Sequence, residues 1–281
     1  MEEFLTDLGR HAFLQNAVLT GILASIPCGI IGAYVVSRRI TYIAGAIAHS
    51  VLAGLGAARY CQTACGIQWI HPIHGAVIAS LISALVIGMV SLYGREREDT
   101  VIGAVWAVGM ALGILFIYKT PGYNEDLMSY LFGNILMVSS RELWLIIGLD
   151  VLILVFSLLF YNRFLAICFD EEFALIRGIH VRFYYLVLLC LTALTVVLLV
   201  TVVGIVMVIA LLTLPAAVAG HFSSRMWVIM IFSAGLTAGL TFSGLALSYG
   251  PDLPSGAVII VLAGLLYLVV AGARALKGLS R

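Results

Sequence analysis

Residues 183–224 form a run of 42 positions without a formal charge. As one α-helix the run would be about 63 Å long at ~1.5 Å per residue, roughly twice the hydrocarbon thickness of a bilayer. A single span cannot hold it. The run therefore reads as two membrane-crossing helices with a break near Val203-Gly204. The same criterion, about 20 mostly apolar residues between charges, picks out residues 12–37, 40–58, 73–93, 101–118, 143–161, 226–249 and 255–273. Nine candidate spans result. The expected fold is an all-α polytopic membrane protein, with residues 1–281 as one transmembrane domain.

Composition agrees. Hydrophobic residues make up 63% and charged residues 10%, with a net charge of +1. Soluble domains carry about a quarter charged residues. These values exclude a soluble enzyme, a basic nucleic-acid binder and a disordered chain. The first span is too long for a signal-peptide core, lacks a small-residue exit and has its positive charges on the far side. Eleven of the 15 Lys and Arg fall on one side if the N-terminus is outside: Arg38, Arg39, Arg95, Arg97, Arg163, Arg177, Arg182, Arg225, Arg274, Lys277 and Arg281. Only Arg10, Arg59, Lys119 and Arg141 fall on the other. Positive residues collect on the cytoplasmic side, so the expected orientation is N-terminus out and C-terminus in.

Two loops stand apart. Residues 121–140 are too polar to span and read as an outer-face helix or a re-entrant piece, which needs protein or water around it. The inner loop, residues 162–182, holds Phe169-Asp170-Glu171-Glu172-Phe173-Ala174-Leu175-Ile176-Arg177-Gly178-Ile179. Asp170 suits an N-cap, Glu171 and Glu172 the first turn, Arg177 the last, and Gly178 the stop. A two-turn helix over about 170–179 is expected. It is too short to be stable alone, so it is either a connector lying on lipid or a docking helix for a cytoplasmic partner. Phe173 and Ile176 share one face.

The spacing Asp170-x-x-x-Ala174-x-x-x-Gly178 resembles the coupling helix of bacterial ABC-transporter permeases for zinc, manganese and iron uptake. The resemblance continues at Tyr42-Ile43-Ala44-Gly45-Ala46-Ile47-Ala48-His49-Ser50, at Asp99-Thr100-Val101-Ile102-Gly103 and at Tyr130-Leu131-Phe132-Gly133-Asn134. It includes the stretch from Gly204 to Pro215-Ala216-Ala217 and Leu247-Ser248-Tyr249-Gly250-Pro251-Asp252-Leu253-Pro254-Ser255-Gly256. These five motifs and the coupling helix, in order, cover nearly the whole chain. The resemblance implies a non-catalytic permease of the bacterial cytoplasmic membrane, working as a pair of identical copies in lipid. It also implies two cytoplasmic ATP-binding-cassette ATPase subunits and an extracytoplasmic metal-binding protein. The chain has no G-x-x-x-x-G-K-[ST], so ATP must be hydrolysed on another subunit. No permanent cofactor and no nucleic-acid partner are expected. A divalent metal is the cargo.

His49 lies about ten residues into an otherwise uncharged span, where an ionisable group marks a functional site. Imidazole suits zinc and tolerates manganese or iron. The alternative is a histidine bonded to a neighbouring carbonyl. Many members of the family carry an Asp four residues before this His, and here that position is Gly45. The departure tilts the expectation from manganese towards zinc. Asp150 is the one acid within a span and serves either the metal pathway or structural pairing. Pro215 is expected to break the seventh span by removing a backbone hydrogen bond, which marks either a transport site or a packing kink. On the outer side, Cys61, Cys65, His71 and His74 admit metal capture, a disulfide or neither. Cys28, Cys168 and Cys190 read as packing residues. Small-residue tracts such as Gly235-x-x-x-Gly239 permit close helix contact.

A permease for a metal chelate is the nearest rival, but such chains tend to be longer. An ion-coupled carrier should carry more intramembrane acids.

Overall fold

A backbone in lipid must satisfy its own N–H and C=O groups, and the helix does so within one segment. The computed structural model describes residues 2–67, 69–94, 97–121, 133, 135, 138, 140–251 and 253–279, and among these no strand occurs. The helices are α1 (Glu2–Leu8), α2 (Ala12–Ser37), α3 (Thr41–Thr63), α4 (Pro72–Tyr93), α5 (Glu98–Lys119) and α6 (Ser140–Leu159). They continue with α7 (Tyr161–Phe169), α8 (Glu171–Ile176), α9 (Val181–Val203), α10 (Ile205–Phe222), α11 (Met226–Tyr249) and α12 (Ser255–Leu279).

Among the described residues, eight helices are long and apolar enough to cross a membrane. A ninth unit is the pair α6 and α7, bent by 70°. Eight of the nine expected spans stand as single helices among the described residues, and the fifth counts only as this bent pair, because its helix ends at Leu159 and turns sharply rather than running on to Tyr161. The expected element between residues 121 and 140 lies almost wholly outside the described residues.

The long uncharged run divides as its length demands. Gly204 separates α9 from α10 with φ 81°, a conformation that glycine adopts at no steric cost. Gly133, with φ 63°, packs against the backbone of Val203 and Gly204, where a side chain would collide. Two motifs far apart in sequence thus meet at the break.

About two-thirds of the apolar window is buried inside the protein in α2 and α9, and 72% in α3, against 17% in α5 and α12. The first three form the centre. α4 and α5 pack on α3, while α10 and α11 pack on α2 and α12 lies outside them. α6 packs on α2, α9 and α7. Glycine sets the closest approaches: Gly54 of α3 and Gly75 of α4 face each other's backbone. Gly109 and Gly113 of α5 meet Ser50 and Leu52 of α3. This register runs α3 and α5 parallel. The outward faces of α4, α5 and α12 carry Ile78, Ile82, Val108, Leu115, Leu265 and Leu268, all exposed. In water these faces would aggregate; in a bilayer they meet lipid.

Candidate functional site

α8 begins as its sequence dictates. The Asp170 carboxylate accepts a hydrogen bond from the Phe173 N–H at 2.9 Å, and Glu171 and Glu172 occupy the first turn. Arg177 caps the other end, Gly178 follows with φ 73°, and the Ile179 N–H returns to the Ala174 carbonyl at 3.0 Å. Ala174 is fully buried, while Phe173 is 49% and Ile176 85% exposed, with Leu175 also exposed. Ala174 therefore seats the helix, and its large apolar side chains point away from the bundle.

Arg38, at the C-terminal end of α2, ties α8 down. It pairs with Glu171, donates to the Ile167 carbonyl of α7 at 2.6 Å, and lies 5.2 Å from the centre of the Tyr185 ring of α9. Tyr185 in turn meets the Ser91 hydroxyl of α4 at 3.4 Å. Four helices converge on one guanidinium system. Beside it opens a cavity of about 390 Å³ lined by Arg38, Arg39, Tyr42, Glu98, Asp99 and Glu171, among others. In the sequence Arg38 stands out only as a topogenic charge. A long-range ion pair has no local signature.

His49 stands one face of α3 against α5. Its ring stacks on Trp106, with centroids 4.4 Å apart and planes 18° from parallel. Such aromatic pairs contribute about 0.5–1.5 kcal/mol beyond their burial. Nδ1 of His49 is buried and has no hydrogen-bond partner, so the structural alternative of a bonded carbonyl is not met at that nitrogen. Gly45 lies one turn nearer the α8 face. A Cβ there would be 3.2 Å from Trp106 Cζ3 and 3.3 Å from Ile209 Cδ1. The indole thus lies close over Gly45, and a side chain there would press on it. Nothing in spacing alone singled out Trp106, since an aromatic residue in an apolar helix is ordinarily packing.

The other named residues lie elsewhere. Asp150 is 6% exposed, and neither carboxylate oxygen has a hydrogen-bond partner. α6 carries it where that helix packs on α2 and α9. Pro215 lies inside α10, which continues through it as one helix. The Thr213 hydroxyl donates to the Ile209 carbonyl at 2.7 Å, and Gly32 of α2 packs directly on the Leu212 carbonyl.

The outer quartet does not converge. Cys61 and Cys65 are both free thiols. His74 Nδ1 accepts from the His71 N–H at 3.2 Å, so one ring nitrogen helps to start α4. Cys61 and His74 line an apolar cavity of about 400 Å³ with Trp69, Ile78 and Phe116. No group of three or more His, Cys, Asp or Glu side chains is placed to hold a metal among the described residues. Gly235 and Gly239 face open space, with no atom within 4 Å of an added Cβ.

The broken and unbroken spans, the capped helix at one face and the apolar outer belt define a multi-span helical membrane protein. The profile of the ABC 3 transport family matches residues 10–273, and the chain belongs to that family. It is 41% identical to a probable metal transport system membrane protein of Chlamydia muridarum, over 90% of this chain and 86% of that one. It is 35% identical to the manganese transport system membrane protein MntC of Halalkalibacterium halodurans, over 94% and 88% of the two chains. Among solved structures, PsaBC from Streptococcus pneumoniae in complex with Fab superposes with a TM-score of 0.85 at 29% identity, over 96% of this chain and 94% of that one.

Proposed function

We propose that this chain is the permease subunit of an ABC importer that moves a divalent transition metal into the cytoplasm. The observation that carries the reading is α8. A capped helix of six residues holds Phe173, Leu175 and Ile176 in the open beside Arg177. A helix this short needs external support, and three large apolar side chains at a polar face call for a protein surface to cover them. An ATPase subunit docking there would couple nucleotide hydrolysis to the bundle through Arg38 and Glu171. Two copies of the chain, two ATPase subunits and an extracytoplasmic binding protein complete the assembly. The N-terminus lies outside.

His49 is the cargo's stop within the membrane. The ion must shed water on entering, so a protein ligand must replace that water at moderate strength. An imidazole with no acceptor on Nδ1 lacks the usual support that raises a metal-binding histidine's basicity, which suits transient binding. Manganese is the first choice of cargo, from the relative named for manganese transport. Zinc is the second reading, favoured by the donor set: position 45 brings no carboxylate to His49, and imidazole alone prefers the softer ion.

The test is uptake of radioactive manganese and zinc, each in competition with the other, into vesicles bearing the whole transporter. His49→Ala should abolish uptake of the preferred ion while the complex still assembles. Wild-type uptake by that variant would end the metal-stop reading.

A further inference from the structure

We propose that Trp106 is the positioning residue that sets the ring plane of His49, so that metal affinity depends on an indole one helix away; this rests on His49 being the metal stop. A metal-binding histidine usually has its ring fixed by a hydrogen bond from its second nitrogen to a carboxylate or carbonyl. His49 has no such bond at Nδ1, which is buried. What fixes the ring instead is the stack at 4.4 Å and 18°. A stacked pair with nearly parallel planes removes rotation of the imidazole out of that plane, while leaving its edge free to meet an ion.

The placement of Trp106 is itself determined. α3 and α5 run parallel in a register that sets Gly109 on Ser50 and Gly113 on Leu52. One turn earlier this register brings Trp106 between positions 45 and 49. A Cβ at residue 45 would be tight on both sides, 3.2 Å from Trp106 Cζ3 and 3.3 Å from Ile209 Cδ1, so the indole would have to give by a few tenths of an ångström. Glycine at 45 thus has an effect separate from any ligand role: it leaves the indole unpressed where it lies flat on His49. The indole carries no charge, so it orients the ligand without adding a second anionic donor that would trap the ion.

The experiment is manganese uptake kinetics in vesicles bearing the whole transporter, with KM and kcat read separately for five variants. Trp106→Leu keeps apolar bulk but removes the flat face. It should raise KM for manganese about tenfold or more, the scale seen when support of a metal ligand is lost, with kcat within about twofold. Trp106→Phe keeps a stacking ring and should stay near the wild-type KM. Gly45→Ala pushes the indole and should raise KM although it touches no ligand. Gly45→Ala with Trp106→Phe, a smaller ring in the same slot, should bring KM back. If Trp106→Leu and Gly45→Ala leave KM within twofold, or lower only kcat, the inference fails. His49→Ala separates the two ideas: loss of uptake there with unchanged KM in the others sinks Trp106 alone, while normal uptake there sinks the metal stop itself.

Discussion

Position 45 decides what can stand beside His49. In the sequence it reads as the place of a missing acid. The contacts to Trp106 and Ile209 add a steric condition, because a Cβ at 3.2–3.3 Å from two side chains forces one of them to give way. Gly45→Asp alone should therefore lower uptake of both manganese and zinc. With Trp106→Phe added, uptake should recover and the ratio of manganese to zinc should rise, because a carboxylate is the harder donor. Competition between the two isotopes in vesicles reads that ratio; an unchanged ratio in the double variant counts against a ligand role for residue 45. His49 and Asp150 were legible in the sequence because an ionisable group in an apolar run is costly and stands out. Trp106 was not, since its importance comes from a partner 57 positions away in α3. The outer histidines show another limit of spacing. Their spacing allowed metal capture, but His74 spends one nitrogen on the start of α4.

The helix α8 was legible nearly residue by residue because its signals are local: a carboxylate cap, two acids in the first turn, a left-handed glycine at the end. Its fastening was not, because Arg38 lies more than 130 positions from Glu171. The pair is partly exposed, and such pairs contribute at most about 1 kcal/mol. Thermal stability should then hardly change when it is broken, and the effect should appear in coupling. Arg38→Glu should leave the complex assembled but raise the ATP hydrolysed per ion moved. Arg38→Glu with Glu171→Arg should recover part of the coupling. Equal coupling in wild type and Arg38→Glu would reduce the pair to a surface contact. Gly178→Val acts on the same element by another route. A β-branched residue at φ 73° costs about 1–2 kcal/mol, more than a helix of six residues can absorb, so stimulation of the ATPase by the metal-loaded binding protein should fall several-fold.

At the scale of the whole chain, the uncharged run of 42 residues foretold two helices and their break, because length against bilayer thickness leaves no other solution. The 70° bend between α6 and α7 was not foretold. No Pro or Gly marks Phe160, and beyond the bend α7 packs against α9. Topology follows from the same helices. α3 starts beside Arg38 and α8 and ends at Thr63, so Cys65 stands on the face opposite α8. The positive charges divide the same way, with Arg38, Arg163, Arg177 and Arg182 towards α8 and Arg59 and Lys119 at the far ends of α3 and α5. Positive residues mark the cytoplasm; on the proposed orientation α8 lies where an ATPase can reach it and Cys65 lies outside. Both thiols are free, so single-cysteine variants report directly. In intact cells a membrane-impermeant maleimide should label Cys65, which is exposed, and should reach Cys168 only after permeabilisation. Labelling of Cys168 with Cys65 silent would invert the molecule, strand α8 outside, and remove the ATPase-docking role argued for it.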